Sequence, residues 1–96
     1  MSPKNKKKLN ILRKKLDKID NQLLNIVKKR TEVIKNVILL KEYKNEIVDK
    51  ARINSILKKI KKISLKKNID PKITQRIWKN MIWSYIDYER RNFKKK

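Results

Sequence analysis

An arginine occupies a core position in the longest helical pattern of the chain. Arg30 falls between Ile26 and Val33 in a series of apolar residues spaced alternately by three and four, which is the spacing of one helix face. Because burying a guanidinium without an anion is costly, Arg30 needs an anionic partner, either a carboxylate of the chain or an anionic ligand. The apolar members of the series are Leu9, Leu12, Leu16, Ile19, Leu23, Ile26, Val33 and Val37.

Further charged residues lie beside the apolar faces of the predicted helices. Lys41 ends the first helix, where on its own it would be a solvated lysine favoured by the helix dipole. Arg13 is as well explained by an ion pair with Asp17, one turn later. Arg52 lies one turn into the second helix, beside its apolar face. Glu89 lies on the inward face of the third helix, either as an ion-pair partner of a buried cation or as a functional acid.

These residues together suggest a site with several cations and one carboxyl, which suits a small, multiply anionic substrate. The chain has no His, Cys or Gly, which excludes a histidine base, a thiolate zinc site, a cysteine nucleophile and a glycine-rich phosphate loop. We therefore expect catalysis by positioning and electrostatic stabilisation, with no metal.

The elements that must position these residues are three helices, and no segment supports a strand. No Pro or Gly interrupts residues 9–41, which predicts one long first helix. Residues 42–48 break the pattern and predict a connecting loop. A second helix is predicted from Asp49, a plausible N-cap, to Lys66.

The third helix has the clearest start signal. Asp70 followed by Pro71 places a hydrogen-bond acceptor at the N-cap and proline at the first helical position, after a break at residues 67–69. The helix is predicted to run to about Asn92. Its expected inward residues are Ile77, Trp78, Met81, Ile82, Tyr85 and Tyr88. The predicted fold class is all-α.

The length of the first helix bears on domain organisation and on the oligomeric state. Residues 9–93 are predicted to form one helical domain between basic tails at residues 1–8 and 94–96. Two shorter helices cannot easily cover so long an apolar stripe, so we expect an intertwined homodimer in which a second copy covers it. The alternative is a monomeric three-helix bundle with a frayed first helix.

The net charge of +21 bears on partners and on location. Lys, Ile and Asn make up about half of the residues, and their A/T-rich codons indicate that genome composition contributes to the lysine excess. A nucleic-acid-binding protein is a second alternative, but its lysines are spread along all three helices and its aromatic residues are few. The basic N-terminus lacks the apolar run of a secretory signal and no membrane span is evident, so we expect a cytoplasmic protein.

Several motifs resemble the all-helical chorismate mutase family over about residues 9–93. The segment LRKKLDKIDNQLLNIVKKR, which ends at Arg30, is similar to the signature of that family's first helix, and Lys41 follows at the family's spacing. The segment VDKAR resembles the start of its second helix, with Asp49 and Arg52 in place. The segment IDPKITQRIWKNMIWSYIDYE, which ends at Glu89, resembles its third helix.

This resemblance implies rearrangement of chorismate to prephenate, a step of phenylalanine and tyrosine biosynthesis, in a dimer without cofactor. Arg30 and the partner's Arg13 would hold the two substrate carboxylates. Lys41 would donate to the ether oxygen, and Glu89 matches the Gln-or-Glu position that donates a second hydrogen bond to it. Asp49 and Arg52 match positions that line the site, with Asp49 near the ring hydroxyl.

Two residues depart from the family pattern. Ile53 stands where the family has a glutamate that contacts the substrate hydroxyl, and Tyr85 stands at the position of a serine. Both resemble the related isochorismate pyruvate lyases, which release pyruvate from isochorismate on the same fold. The mutase is the first hypothesis because all of the cationic residues that the family pattern requires are present in this sequence. The lyase is the alternative, and a mutase acting on an amino-substituted chorismate is a third possibility.

Overall fold

The computed structural model describes residues 1–95, and the helices account for most of them. Helix α1 spans Pro3–Leu40, α2 spans Lys50–Lys66 and α3 spans Pro71–Asn92. A short 3-10 turn, Lys44–Glu46, lies between α1 and α2. The described part of the chain contains no strand. The predicted all-α class is confirmed.

Helix α1 begins six residues earlier than the predicted start at Leu9. Residues 3–8, which were expected to belong to a tail, are helical, although they are exposed. The Ser2 hydroxyl accepts a hydrogen bond from the Asn5 backbone N–H at 3.2 Å, and Pro3 stands at the first helical position. This start has the same form as that of α3, an N-cap oxygen followed by proline.

Helices α2 and α3 begin at the residues that their caps predict. The Asp49 carboxylate accepts from the Arg52 backbone N–H at 3.0 Å, and the Asp70 carboxylate accepts from the Lys72 backbone N–H at 2.9 Å. Between the two helices, Asn68 adopts a left-handed conformation with φ 56°, which asparagine tolerates better than most residues.

The chain divides into two compact units. The first, Met1–Val33, consists of most of α1 and is a single helix. Its apolar face is exposed, since no second element of this unit covers it. The exposed apolar residues include Leu12, Leu16, Ile19, Leu23, Ile26 and Val33, each more than half exposed.

The second unit begins at Ile34 and contains the last turns of α1 with α2 and α3. Its core consists of Ile47, Ile82 and Ile86, against which partly buried apolar side chains pack. Those side chains are Val48, Ile53, Ile56, Leu57 and Phe93.

One expected inward residue of α3 is not buried. Ile77 is 51% exposed, so its predicted inward position was wrong. The buried stripe of α3 instead runs through Thr74, Ile82, Ile86 and Glu89, and Ile77 lies at its edge, about 100° around the helix from Trp78. The other predicted inward residues are buried or half-buried, namely Trp78, Met81, Ile82, Tyr85 and Tyr88.

A hydrogen bond between two buried hydroxyl groups connects α2 to α3. The Ser64 and Thr74 hydroxyl oxygens lie 2.8 Å apart, and Ser64 also donates to the Ile60 carbonyl at 2.6 Å. The Gln75 side-chain amide donates to the Leu57 carbonyl at 3.0 Å. These bonds satisfy polar groups inside the helix pair, which would otherwise be costly to bury.

Candidate active site

The structure pairs two of the predicted site residues, Lys41 and Glu89. The Lys41 ammonium donates to Glu89 Oε1 at 2.9 Å, and the two side chains are 19% and 7% exposed. Lys41 is therefore not the solvated lysine that its position alone would suggest. Of the two interpretations of Glu89, an ion-pair partner is the one that the structure contains.

Helix packing fixes the positions of both side chains. Lys41 follows the last residue of α1, and its backbone N–H donates to the Ile38 carbonyl at 3.2 Å. Ile38 is buried, at 8% exposure. Glu89 lies one turn after the core residue Ile86 on α3. Both members of the pair are thus held by neighbouring residues whose side chains are buried.

A cavity of about 660 Å³ opens beside Lys41. Asp49 contributes to its wall, and the loop before α2 supplies most of the remaining lining. Because its lining contains two carboxylates and two ammonium groups, the cavity carries mixed charge. Its lining residues are Lys41, Asn45, Glu46, Val48, Asp49 and Lys50.

The carboxylates of this cavity already accept backbone hydrogen bonds. Glu46 Oε1 accepts from the backbone N–H groups of Glu42 and Tyr43, at 3.1 and 2.8 Å. Asp49 caps α2 through the Arg52 N–H, as described above. The two carboxylates therefore order the loop and the start of α2, while the Lys41 side chain supplies a donor for an anionic or oxygen-bearing ligand.

Sequence reasoning missed four of these lining residues. Three of them lie in residues 42–48, which were expected to be only a connection, and the fourth is the first residue of α2. The four are Asn45, Glu46, Val48 and Lys50. A signal was present in the sequence, since Glu46 follows Tyr43 by three residues, which is the spacing at which an acid bonds back to the backbone of a helical turn.

The remaining predicted site residues are distributed over both units. In the second unit, the Arg52 side chain is exposed at the first turn of α2, and Tyr85 is half-buried one turn before Glu89. In the first unit, Arg13 is exposed and Arg30 is half-buried. Ile53, which departs from the expected pattern, is partly buried against the core.

The described residues contain no group of three or more His, Cys, Asp or Glu side chains that could hold a metal ion. Among the described helices, none is both long and apolar enough to cross a membrane.

Comparison with families of known proteins gives a match over most of the chain. Residues 12–90 match chorismate mutase type II, and they include most of both units. The chain belongs to this family. No curated protein and no solved structure matches the chain.

The chorismate mutase type II match covers every candidate site residue. These are Arg13, Arg30, Lys41, Asp49, Arg52, Tyr85 and Glu89. The Lys41–Glu89 pair joins the end of α1 to the last turns of α3, 48 residues apart in the chain. The family resemblance implies that Lys41 and Glu89 both contact the ether oxygen of the substrate, and in this structure the two side chains are neighbours.

Proposed function

We propose that the protein is a chorismate mutase, which converts chorismate to prephenate. The observation that carries this proposal is the 2.9 Å contact of Lys41 with Glu89, inside a chain that belongs to the chorismate mutase type II family. The proposed catalytic domain comprises residues 9–93, somewhat more than the matched segment.

In the proposed reaction, the ether C–O bond of the substrate breaks while a new C–C bond forms within the same molecule. Negative charge develops on the ether oxygen, and a hydrogen bond from Lys41 stabilises it more in the transition state than in the bound substrate. Glu89 donates a second hydrogen bond to this oxygen when its carboxyl carries a proton. Lys41 has three N–H donors, so it can serve the substrate while it remains next to Glu89.

The two substrate carboxylates are held by arginines in this proposal. Arg30 binds one carboxylate and the partner's Arg13 binds the other, because a guanidinium can form two parallel hydrogen bonds to a carboxylate. Asp49, Arg52 and Tyr85 complete the substrate contacts, with Asp49 near the ring hydroxyl. Holding the substrate in its reactive shape supplies the rest of the rate enhancement, and no covalent intermediate is required.

The proposed assembly is an intertwined homodimer. Its support is the exposed apolar face of α1, where Leu12, Leu16, Ile19 and Leu23 are 54–57% exposed. Burying a fully exposed leucine or isoleucine side chain contributes about 1.5–3 kcal/mol, so covering the exposed half of each of these side chains contributes about half of that. A second copy supplies a matching apolar face and brings Arg13 to the site of its partner.

The experiment that tests the proposal supplies the purified protein with chorismate and, separately, with isochorismate, and identifies the products. We expect prephenate from chorismate, and loss of this activity in Arg30→Ala. Isochorismate giving pyruvate and salicylate, with chorismate nearly inert, would instead assign the lyase reaction and make Ile53 and Tyr85 its determinants. Inertness toward both substrates would overturn the proposal, and turnover of amino-substituted chorismate would then be measured.

A further inference from the structure

A second cavity lies in the second unit, away from the loop that lines the first. It has a volume of about 310 Å³, which is at the lower end of the range for small-molecule sites. The end of α1, the last turns of α3 and the segment after α3 line it. Its apolar lining is formed by Ile38, Leu39, Tyr88 and Phe93.

Among the described residues that line this cavity, the charged side chains are all basic. Lys35, Lys94 and Lys95 contribute three ammonium groups, and none of the described lining residues is acidic. Several acids lie near the lining residues in sequence. Asp87 accepts from Arg91 at 2.9 Å, and Glu89 accepts from Lys41. Glu32 lies three residues before Lys35, and both residues have interactions of their own. The first cavity differs, because acids balance lysines there.

One of these lysines also anchors the segment that follows α3. The Lys95 ammonium donates to the Leu39 carbonyl at 2.5 Å, in the last turn of α1. That turn contains no basic residue of its own, so Lys95 supplies the cation that a helix C-terminus favours. Since an ammonium group has three N–H donors, Lys95 keeps two for a ligand.

We propose that this cavity is an anion site, separate from the Lys41–Glu89 pair, for a small amphipathic carboxylate. The apolar lining receives the hydrocarbon or aromatic body of the ligand, and the lysines bind its single carboxylate. An uncharged apolar ligand would form no ion pair with the lysines, whereas a bare inorganic anion would leave the apolar lining exposed to water. The inference does not depend on the proposed mutase activity.

The test uses the full ¹⁵N-labelled chain titrated with 3-phenylpropanoate and, as a neutral isostere, 3-phenylpropanamide. We expect the carboxylate to bind with a Kd on the order of 1 mM and to shift the backbone signals of Leu39, Tyr88 and Phe93. The amide should bind more weakly by about three- to tenfold, which is the size expected for partly solvated ion pairs.

Two matched double variants distinguish binding of the carboxylate at this cavity from nonspecific attraction of an anion to a basic protein. Lys35→Gln with Lys94→Gln removes two charges at the cavity, and Lys58→Gln with Lys62→Gln removes two exposed charges of α2. We expect the first double variant to lose affinity for the carboxylate about three- to tenfold and the second to retain it.

Four outcomes would overturn the inference. They are the absence of binding, equal affinity for the carboxylate and the amide, equal loss in both double variants, and signal shifts confined to the surroundings of Lys41 and Asp49. The last outcome would place the probe in the first cavity. Because none of these readouts is turnover, failure of the inference is distinguishable from failure of the proposed function.

Discussion

At the scale of single residues, the distribution of the few acids is informative. The chain has nine Asp and Glu residues against 30 Lys and Arg, and Glu89 is the acid that is buried, at 5% exposure. Burying a carboxylate is costly unless a cation and further hydrogen bonds compensate. Lys41 provides that compensation at 2.9 Å, so the pair satisfies a structural requirement of the fold.

The proposed role of Glu89 predicts a pH dependence. Only the protonated carboxyl can donate to the ether oxygen, so kcat/KM for chorismate should fall as pH rises. Glu89→Gln retains a donor that does not titrate in this range, and its profile should be flatter. The measurement is kcat/KM against pH for both proteins.

A wild-type rate that does not vary between about pH 5 and 8 would contradict this role for Glu89. Circular dichroism at each pH is the control, because it separates loss of chemistry from loss of fold.

The ion pair also predicts an energetic coupling. Lys41→Met leaves the buried Glu89 carboxylate without its cation and should lower the free energy of unfolding by about 3 kcal/mol. In Lys41→Met with Glu89→Gln, the loss should be smaller than the sum of the two single losses. Urea unfolding of the four proteins measures this coupling.

The matched control is the exposed pair of Arg91 with Asp87, whose side chains are 64% and 67% exposed. Arg91→Met should cost less than about 1 kcal/mol, because solvent screens that pair. Equal losses at the two pairs would mean that burial does not strengthen the dependence of Glu89 on Lys41.

At the scale of elements, Asp49 has two separable roles. Its carboxylate caps α2 and also lines the cavity beside Lys41. Asp49→Ala should lower the free energy of unfolding by about 1 kcal/mol, whereas Asp49→Asn keeps a capping oxygen and should cost a few tenths. If Asp49 also contacts the substrate, both variants should raise KM for chorismate.

Asp70 supplies the control for this prediction, since it caps α3 in the same way and does not line the cavity. Asp70→Ala should show a similar stability loss with KM unchanged. If Asp49→Asn has the stability and KM of the wild type, Asp49 is a cap and no more.

At the scale of the whole molecule, the proposed dimer predicts complementation between two inactive variants. Arg13→Ala and Arg30→Ala should each be nearly inactive. Since each site would combine Arg30 of one copy with Arg13 of the other, a mixed dimer contains one intact site. An equal mixture, unfolded and refolded together, should recover about a quarter of wild-type activity if the copies assemble randomly.

Recovery of no activity, with dimers seen by analytical ultracentrifugation, would show that both arginines act within one copy. A monomer in that measurement would contradict the proposed assembly itself. Each variant refolded alone is the control for both results.

The sequence predictions were accurate where the interacting residues are close together in the chain, and less accurate where the outcome depends on contacts between helices. The starts of α2 and α3 were predicted because Asp49 and Asp70 bond to N–H groups two or three residues away. The Ser2–Pro3 start of α1 carries an equally local signal, although the lysines after it were expected to form a tail. The burial of α3 was predicted less well, since the exposure of Ile77 depends on which face α2 covers.

The sequence by itself determined the three helices, the caps of α2 and α3, and the identity of the candidate site residues, because these depend on spacing and on side-chain type. Only the tertiary structure decided three further features. Glu89 forms an ion pair with Lys41, the loop before α2 lines a cavity, and the Lys95 ammonium donates to a carbonyl in the last turn of α1. Lys41 and Glu89 are 48 residues apart, and Lys95 and Leu39 are 56 residues apart. Contacts of this range depend on how the helices pack, which no local pattern specifies.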